Sequence, residues 1–145
     1  MRAPESILQP CDLRKLGLLI HIFMEIPFLW VLLKWMDLPR LLRWLDHPAN
    51  QRRPLKEDDF KRVHLIWNYA HFVVVRILRM KNPCLYRSLI LFHLLRKKGL
   101  HSQIHFGIKR DVSPIEGHSW LSLNGESFLE KVDPELTYMD IYSYP

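Results

Sequence analysis

The sequence predicts an α+β fold in which a helical front precedes a small antiparallel sheet. Apolar residues recur at helical spacing up to Gly99, and they alternate with polar residues after it. The chain has 145 residues, is 48% hydrophobic and contains only 5 Gly, which suits one ordered core. We therefore predict one domain over residues 1–145, with a helical part at 1–80 and a helix plus sheet at 81–145.

Three helices are predicted in the helical front. The first runs from about Leu13 to Met36, and the second lies in "DLPRLLRWL" with Asp37 as its N-cap. A basic loop at residues 46–56 separates them from a third helix, which begins at Glu57 and ends near Met80. Apolar residues at helical spacing form the expected core stripe of this third helix: Val63, Ile66, Ala70, Val73 and Ile77.

One segment, "LGLLIHIFMEIPFLWVLL" at residues 16–33, approaches the length of a membrane-spanning helix. His21, Glu25 and Pro27 interrupt it, and a carboxylate near the middle of a span costs about 2.5–3.5 kcal/mol. We therefore expect a buried or membrane-surface helix here. Because the sequence lacks the pattern of a signal peptide, we predict a cytoplasmic protein. Peripheral contact with a membrane is a further hypothesis.

Charge is spread unevenly along the chain. The net charge is +6, and the basic residues concentrate in residues 1–100 while the acidic ones dominate the tail. Solvated helix faces account for this pattern, and the five Trp lie among Leu and Ile at core spacing, so we predict no nucleic-acid partner. The two cysteines, Cys11 and Cys84, are far apart and are predicted to be free thiols.

A fourth helix is predicted in "KNPCLYRSLILFHLLRKKG", with Asn82 as N-cap, Pro83 at the first position and Gly99 as C-cap. It is apolar almost all round and should be buried between layers. Cys84 lies in its first turn, where the helix dipole and free backbone N–H groups favour a thiolate and can receive an oxyanion. Position alone leaves two readings open, a nucleophile and a small buried apolar residue.

His118 is the histidine best placed to assist a thiolate. It begins the strand "HSWLSL", which follows the strand "HSQIHFGIK" and a loop containing Pro114 and Gly117, so its ring could face a cleft. A strand histidine with no catalytic role at the protein surface would fit this sequence pattern equally well. The strand "ESFLEKV" then returns after Asn124-Gly125.

Two carboxylates, Glu130 and Asp133, are candidates to orient His118, and the hairpin register decides between them. A two-residue turn at Asn124-Gly125 puts Asp133 on the face of His118, whereas a three-residue loop makes Glu130 its diagonal neighbour. Periodicity alone leaves both open.

No motif for a metal or a nucleotide is apparent. His101 and His105 would stand about 13 Å apart on a strand, and neither H-E-x-x-H nor paired C-x-x-C occurs. A glycine-rich phosphate loop is also missing, so we predict no bound cofactor. His64, Asn68 and His71 share a face of the third helix and are interpreted as polar helix surface.

The segment "CLYRSLILFHLLRKKGLHSQIHFGI", followed by "GHSWLSLNGESFLE", resembles the transglutaminase-like cysteine protease domain of lasso-peptide maturation, the C-terminal part of the microcin-processing B protein. The resemblance implies a papain-like core, with the nucleophile helix buried against the sheet. It further implies Cys84 as nucleophile, His118 as base and Glu130 as the acid, where many members carry Asp, with Asp133 in reserve. The implied hairpin has the three-residue loop.

The same resemblance implies a function. Such proteases remove the leader from a ribosomally made precursor peptide with the help of a leader-binding recognition protein, and a separate lasso cyclase then closes the ring. ATP has been linked to leader removal. Because the chain offers no room for a recognition domain, we expect a stand-alone bacterial protease that requires a separate one. The alternatives are a non-catalytic binding module and a transglutaminase-type acyltransferase.

Overall fold

A computed structural model describes residues 13–47, 56–109 and 113–145. Cys11 and most of the predicted basic loop lie outside the described residues. The helices are α1 (Leu13–Trp35), α2 (Leu38–Leu45), α3 (Glu57–His71), a π-helix (Phe72–Ile77), α4 (Pro83–Lys97) and a short 3₁₀-helix (Pro134–Leu136). The strands are β1 (Ser102–Lys109), β2 (Gly117–Leu123), β3 (Glu126–Phe128) and β4 (Tyr138–Tyr144).

The predicted α+β class is confirmed, and α4 lies at the centre of the fold. It begins at Pro83, whose fixed φ and missing N–H suit the first position of a helix. Its apolar side chains point to all sides, so it is covered by α3 on one side and by β1 and β2 on the other. Four of them are fully buried: Leu89, Ile90, Phe92 and Leu95.

Helix α1 packs against this centre along one face only. Ile22, Ile26 and Leu29 are fully buried, and Glu25 turns inward, with its carboxylate 3.6 Å from His93 and 3.0 Å from His21. By length and composition, α1 is the one described helix that could cross a membrane, although a core helix of a soluble protein meets the same test. Its Pro27 lies inside the helix, as predicted.

The third helix differs from the prediction beyond His71. The α-helical hydrogen bonds end there and the π-helix continues the segment, with Leu78 N–H bonded to the carbonyl of Val73. A π-helical turn holds about one residue more than an α-helical turn, so the core stripe moves by one position. Val74 is therefore fully buried, and the predicted core residue Ile77 is 47% exposed. The remainder of the stripe is buried as predicted.

The sheet has four antiparallel strands in the order β3-β2-β1-β4. The first three were predicted, but β4 was not. It pairs with the free edge of β1 and carries Asp140 and Tyr142 across from Gly107 and Phe106. The last residues of the chain thus complete the sheet on the side opposite the β2–β3 hairpin.

The β2–β3 hairpin has a two-residue turn. Leu123 pairs with Glu126, and Asn124 and Gly125 both have positive φ, 55° and 86°, as an Asn-Gly turn of this type requires. The three-residue loop implied by the family resemblance is therefore wrong. Strand β3 ends at Phe128 because Leu129, with φ 63°, takes the chain out of the ladder.

Gly107 is the glycine whose replacement should cost most stability. A Cβ at this position would lie 2.9 Å from the carbonyl oxygen of Met139 and 2.9 Å from two ring carbons of Trp120. We expect Gly107→Ala to lower the free energy of unfolding by about 1–3 kcal/mol, as overpacking does. Urea denaturation measures the change. Gly17→Ala is the matched control, because a Cβ there meets nothing within 4 Å and should stabilise α1 by about 0.5–1 kcal/mol.

Candidate active site

Cys84 occupies the first turn of α4 and is only partly buried. The side chain of Asn82, the N-cap residue, makes no capping hydrogen bond, so it does not satisfy the N–H groups of this turn. These N–H groups and the helix dipole favour negative charge at the sulfur. The start of α4 therefore combines a thiol with donors for an anion.

Strand β2 brings His118 to this thiol. The side chains of Cys84 and His118 are hydrogen-bonded to each other, and the backbone of Ser119 also hydrogen-bonds the sulfur. One helical turn after Cys84, the Ser88 hydroxyl donates a 3.0 Å hydrogen bond to the carbonyl of Ser119. Helix and strand are thus joined at the residues that surround the thiol.

The contact between Cys84 and His118 shifts both pKa values toward an ion pair. Burial raises the pKa of the Cys84 thiol, but the hydrogen bond and the charge of His118, together with the hydrogen bonding of Ser119, lower it overall. The hydrogen bonds to Cys84 and then to Glu130 raise the pKa of His118 to about 9, against the opposing effect of its burial. Thiolate and imidazolium are the forms that such an arrangement favours near neutral pH.

Glu130, rather than Asp133, lies beside His118. Its Oε2 is 3.4 Å from Nε2 of His118, and both side chains are less than one-fifth exposed. Asp133 instead accepts the N–H of Glu135 at the start of the 3₁₀-helix and the hydroxyl of Ser127. Although the turn has two residues, β3 ends early, at Phe128, and Leu129 then turns the chain so that Glu130 lies beside His118, where a three-residue loop was expected to place it.

His118 belongs to a cluster of four aromatic rings. Its ring centroid lies 4.9 Å from that of Tyr138 and 6.1 Å from that of Trp120, which in turn stacks on His105 at 5.3 Å with the planes 8° apart. His105 is fixed at the far end by Ser122, 2.8 Å from Nε2, and by Asp140, 2.7 Å from Nδ1. The centroids of Tyr138 and Trp120 are themselves only 6.4 Å apart, so both rings lie on the same side of His118, where they limit its rotation.

The Ser122, His105 and Asp140 chain has the residue types of a serine hydrolase triad, but its geometry suits a structural role. Ser122 and His105 are 6% and 7% exposed on the sheet, and His105 is covered by Trp120. A nucleophile needs access to substrate, which these side chains lack. This hydrogen-bonded set of three residues therefore positions the ring cluster.

An open cleft of about 590 Å³ adjoins His118 and Glu130. On its opposite side, Trp67 stacks on His71 with 5.3 Å between centroids, and the Arg87 guanidinium lies 4.9 Å from the Trp67 ring and 3.3 Å from Nδ1 of His71. Burial, followed by the charges of Arg87 and Arg76, lowers the pKa of His71.

His71 was expected to lie on a polar helix surface, and no role in a cleft was predicted for Trp67 or Arg87. Trp67 and His71 are four residues apart on one helix face, and Arg87 follows Cys84 by three, which is one turn of α4. These spacings are the signal in the sequence that could have grouped them.

No metal site is apparent in the described ranges, where no group of three His, Cys, Asp or Glu has suitable geometry. At the start of α4, Cys84 and its hydrogen bond to His118 occupy the position that a phosphate group would take. The chemistry proposed for Cys84 therefore does not involve ATP, which the family resemblance implies for the pathway.

The ionisation of Cys84 can be followed by alkylation with iodoacetamide against pH in a Cys11→Ser background. We expect a pKa below that of an ordinary thiol. In His118→Ala the pKa should rise above the ordinary value, because the burial of the sulfur then acts without its main opposing interaction. An unchanged profile in His118→Ala would contradict the ion pair.

Glu130→Gln should lower the pKa of His118 from about 9, because the carboxylate charge that supports the imidazolium is lost. The protonated ring is present below this pKa and is lost as pH rises through it, so the alkaline limit of any activity should move to lower pH. NMR titration of the His118 ring measures the shift. Asp133→Asn is the matched control, and an equal shift in both variants would rule out the assignment of Glu130.

The chain was compared with known proteins by sequence and by structure. Residues 23–143 match the profile of the Transglutaminase-like superfamily. Neither the curated proteins nor the solved structures contain a significant match. The match covers most of the chain, including α4 and the sheet with the Cys84, His118 and Glu130 cluster, and the chain belongs to the transglutaminase-like superfamily.

Proposed function

We propose that this protein is a cysteine peptidase that removes the leader from a ribosomally made lasso-peptide precursor. The observation that carries the peptidase chemistry is the hydrogen-bonded pair of Cys84 and His118, with Glu130 behind the imidazole. The precursor class rests on the resemblance of "CLYRSL" and "GHSWL" to leader peptidases of lasso-peptide maturation. A separate leader-recognition protein would deliver the precursor, and a cyclase would take the product.

In the first step the Cys84 thiolate attacks the carbonyl carbon at the junction of leader and core. The carbonyl oxygen becomes an oxyanion, which N–H groups of the first turn of α4 can receive. The His118 imidazolium gives its proton to the departing core amine, so the C–N bond breaks and a thioester remains on Cys84. Glu130 keeps the ring oriented throughout.

In the second step neutral His118 takes a proton from a water molecule, which attacks the thioester carbonyl. The C–S bond breaks, the leader leaves with a new carboxylate, and the thiolate and imidazolium are restored. The cleft between the His118 side and the Trp67, His71 and Arg87 side adjoins His118, whose ring contacts the sulfur, and we propose that an extended peptide enters there.

Mass spectrometry of the precursor, mixed with this protein and its leader-recognition partner, tests the proposal. We expect separate leader and core masses with the wild-type chain. Cys84→Ser should lower the rate at least about a thousandfold, as loss of a nucleophile does in other triad enzymes. Cys11→Ser is the matched control and should cleave normally, whereas full activity of Cys84→Ser would refute the mechanism.

The superfamily also includes acyltransferases, and the thioester on Cys84 has the same form for both outcomes. An amine that enters the cleft in place of water would receive the acyl group and form a new amide. Adding hydroxylamine or a primary amine to the cleavage assay distinguishes the two. A leader that carries the free carboxylate as the main product supports hydrolysis, and a leader amide as the main product supports transfer.

A further inference from the structure

The outer face of α1 is apolar along the whole length of the helix. Residues at i, i+3, i+4 and i+7 spacing point away from the core, and they include Ile20, Phe23, Met24, Phe28 and Val31. Met24 is 65% exposed, although most large apolar side chains of folded proteins are covered. A helix of 23 residues is about 34 Å long, so this face is a long apolar stripe.

Helix α2 extends this face at the C-terminal end of α1. Trp44 of α2 packs on Phe28 of α1 with 5.8 Å between ring centroids and remains 54% exposed, and Trp35 at the end of α1 is 84% exposed. We call the exposed apolar residues of α1 together with Trp44 the aromatic face. Exposed patches of this kind on soluble proteins mark sites that bind another protein or a membrane.

Hydrogen-bonding capacity favours a membrane over a protein. Protein interfaces carry about one hydrogen bond per 100–200 Å². Between Ile20 and Val31 the aromatic face offers few polar groups: the indole of Trp30, and the ring of His21, one nitrogen of which lies 3.0 Å from the inward-turned Glu25. Indole rings are the polar groups that prefer the boundary between lipid and water.

Charge at the end of the aromatic face favours an anionic membrane. Lys34, Arg40 and Arg43 are exposed there with a single carboxylate, Asp37, between them, and the Lys34 ammonium lies 3.7 Å from the centre of the Trp30 ring. A groove of about 540 Å³ adds Arg79 and Lys81 beside Trp30. Basic residues around an apolar, Trp-rich helix face are typical of helices that lie in the headgroup region of anionic bilayers.

A spanning orientation does not fit the inner face. Ile22, Ile26 and Leu29 are fully buried against the rest of the fold, and Glu25 contacts His93 of α4. Removing α1 from this position would expose the core and break the contact between Glu25 and His93. In the described structure, α1 can therefore contact lipid only while it lies flat on the membrane surface.

We propose that the aromatic face binds the surface of an anionic lipid bilayer, with α1 parallel to the membrane plane. The Trp rings lie at the headgroup level, and Lys34, Arg40 and Arg43 bind lipid phosphates. The groove at Arg79 and Lys81 leads directly to Asn82, so the start of α4 and Cys84 are held close to the membrane. This inference is independent of the reaction at Cys84.

Co-sedimentation of the full chain with phosphatidylcholine vesicles, with and without phosphatidylglycerol, tests the proposal. We expect at least about tenfold tighter binding to the anionic vesicles, because each basic residue near the membrane surface contributes about fivefold to the affinity. Tryptophan emission should shift to the blue, since Trp30, Trp35 and Trp44 are three of the five tryptophans.

Met24→Glu should weaken binding at least about tenfold, because it places a charge where the exposed methionine would enter the lipid boundary. Arg43→Gln should weaken binding to anionic vesicles about fivefold. Ile141→Glu is the matched control: Ile141 is 57% exposed on β4, away from the aromatic face, and its variant should bind as the wild type does. Unchanged alkylation of Cys84 reports that Met24→Glu is folded.

Two results would overturn the proposal. One is the absence of vesicle binding by the wild-type chain, and the other is equal loss in Met24→Glu and Ile141→Glu. If vesicles are not bound but the chain self-associates, and Met24→Glu abolishes this association, the aromatic face is a protein interface.

Discussion

The packing of α4 across β2 is the contact on which the site depends. Burial of the α4 side chains, such as Phe92, contributes about 1.5–3 kcal/mol each, whereas the hydrogen bond from Ser88 to Ser119 contributes about 0.5–1.5 kcal/mol. The apolar contacts therefore hold the helix on the sheet. The hydrogen bond determines how far along the strand the helix sits, and so brings Cys84 next to His118.

Burial and hydrogen bonding have opposite effects on the pKa values of Cys84 and His118. Burial opposes charge on both Cys84 and His118, and each becomes charged because the other is within hydrogen-bonding reach. Glu130 favours the imidazolium, while the rings of Trp120 and Tyr138 limit the directions in which it can turn. Position and charge are thus controlled by different elements: the ring cluster comes from the sheet, and the carboxylate comes from the loop after β3.

Prediction from sequence succeeded where the signal is local. The start of α4 at Asn82-Pro83, the buried character of α4 and the position of a turn at Asn124-Gly125, although not its length, all follow from residue types at neighbouring positions. It failed where the outcome depends on chain segments that meet only in the fold. Strand β4 needs the free edge of β1, and the cleft needs Trp67 on α3 beside Arg87 on α4.

The choice between Glu130 and Asp133 shows the same limit in one hairpin. The two-residue turn argued for Asp133 on a regular strand, yet Leu129 takes up a positive φ and ends the strand after three residues. The spacing of polar and apolar residues does not predict this change in backbone conformation. The resemblance to a family supported Glu130 although the loop it implied was wrong, because the position along the chain carried over and the hairpin geometry did not.

The π-helix at Phe72–Ile77 bears on how this chain tolerates insertions and deletions. A π-helical turn is equivalent to an α-helix that has accepted one additional residue. Deleting one residue from this segment would restore α-helical hydrogen bonding and leave the following connection in nearly the same orientation, because a π-helical turn with one residue more spans the same angle as an α-helical turn. That connection leads into Asn82 and Pro83, so the start of α4 would stay close to its present position. We therefore expect a one-residue deletion to be tolerated in this segment, as length changes should be at the loop between β1 and β2, whose two ends are both anchored in one antiparallel pair.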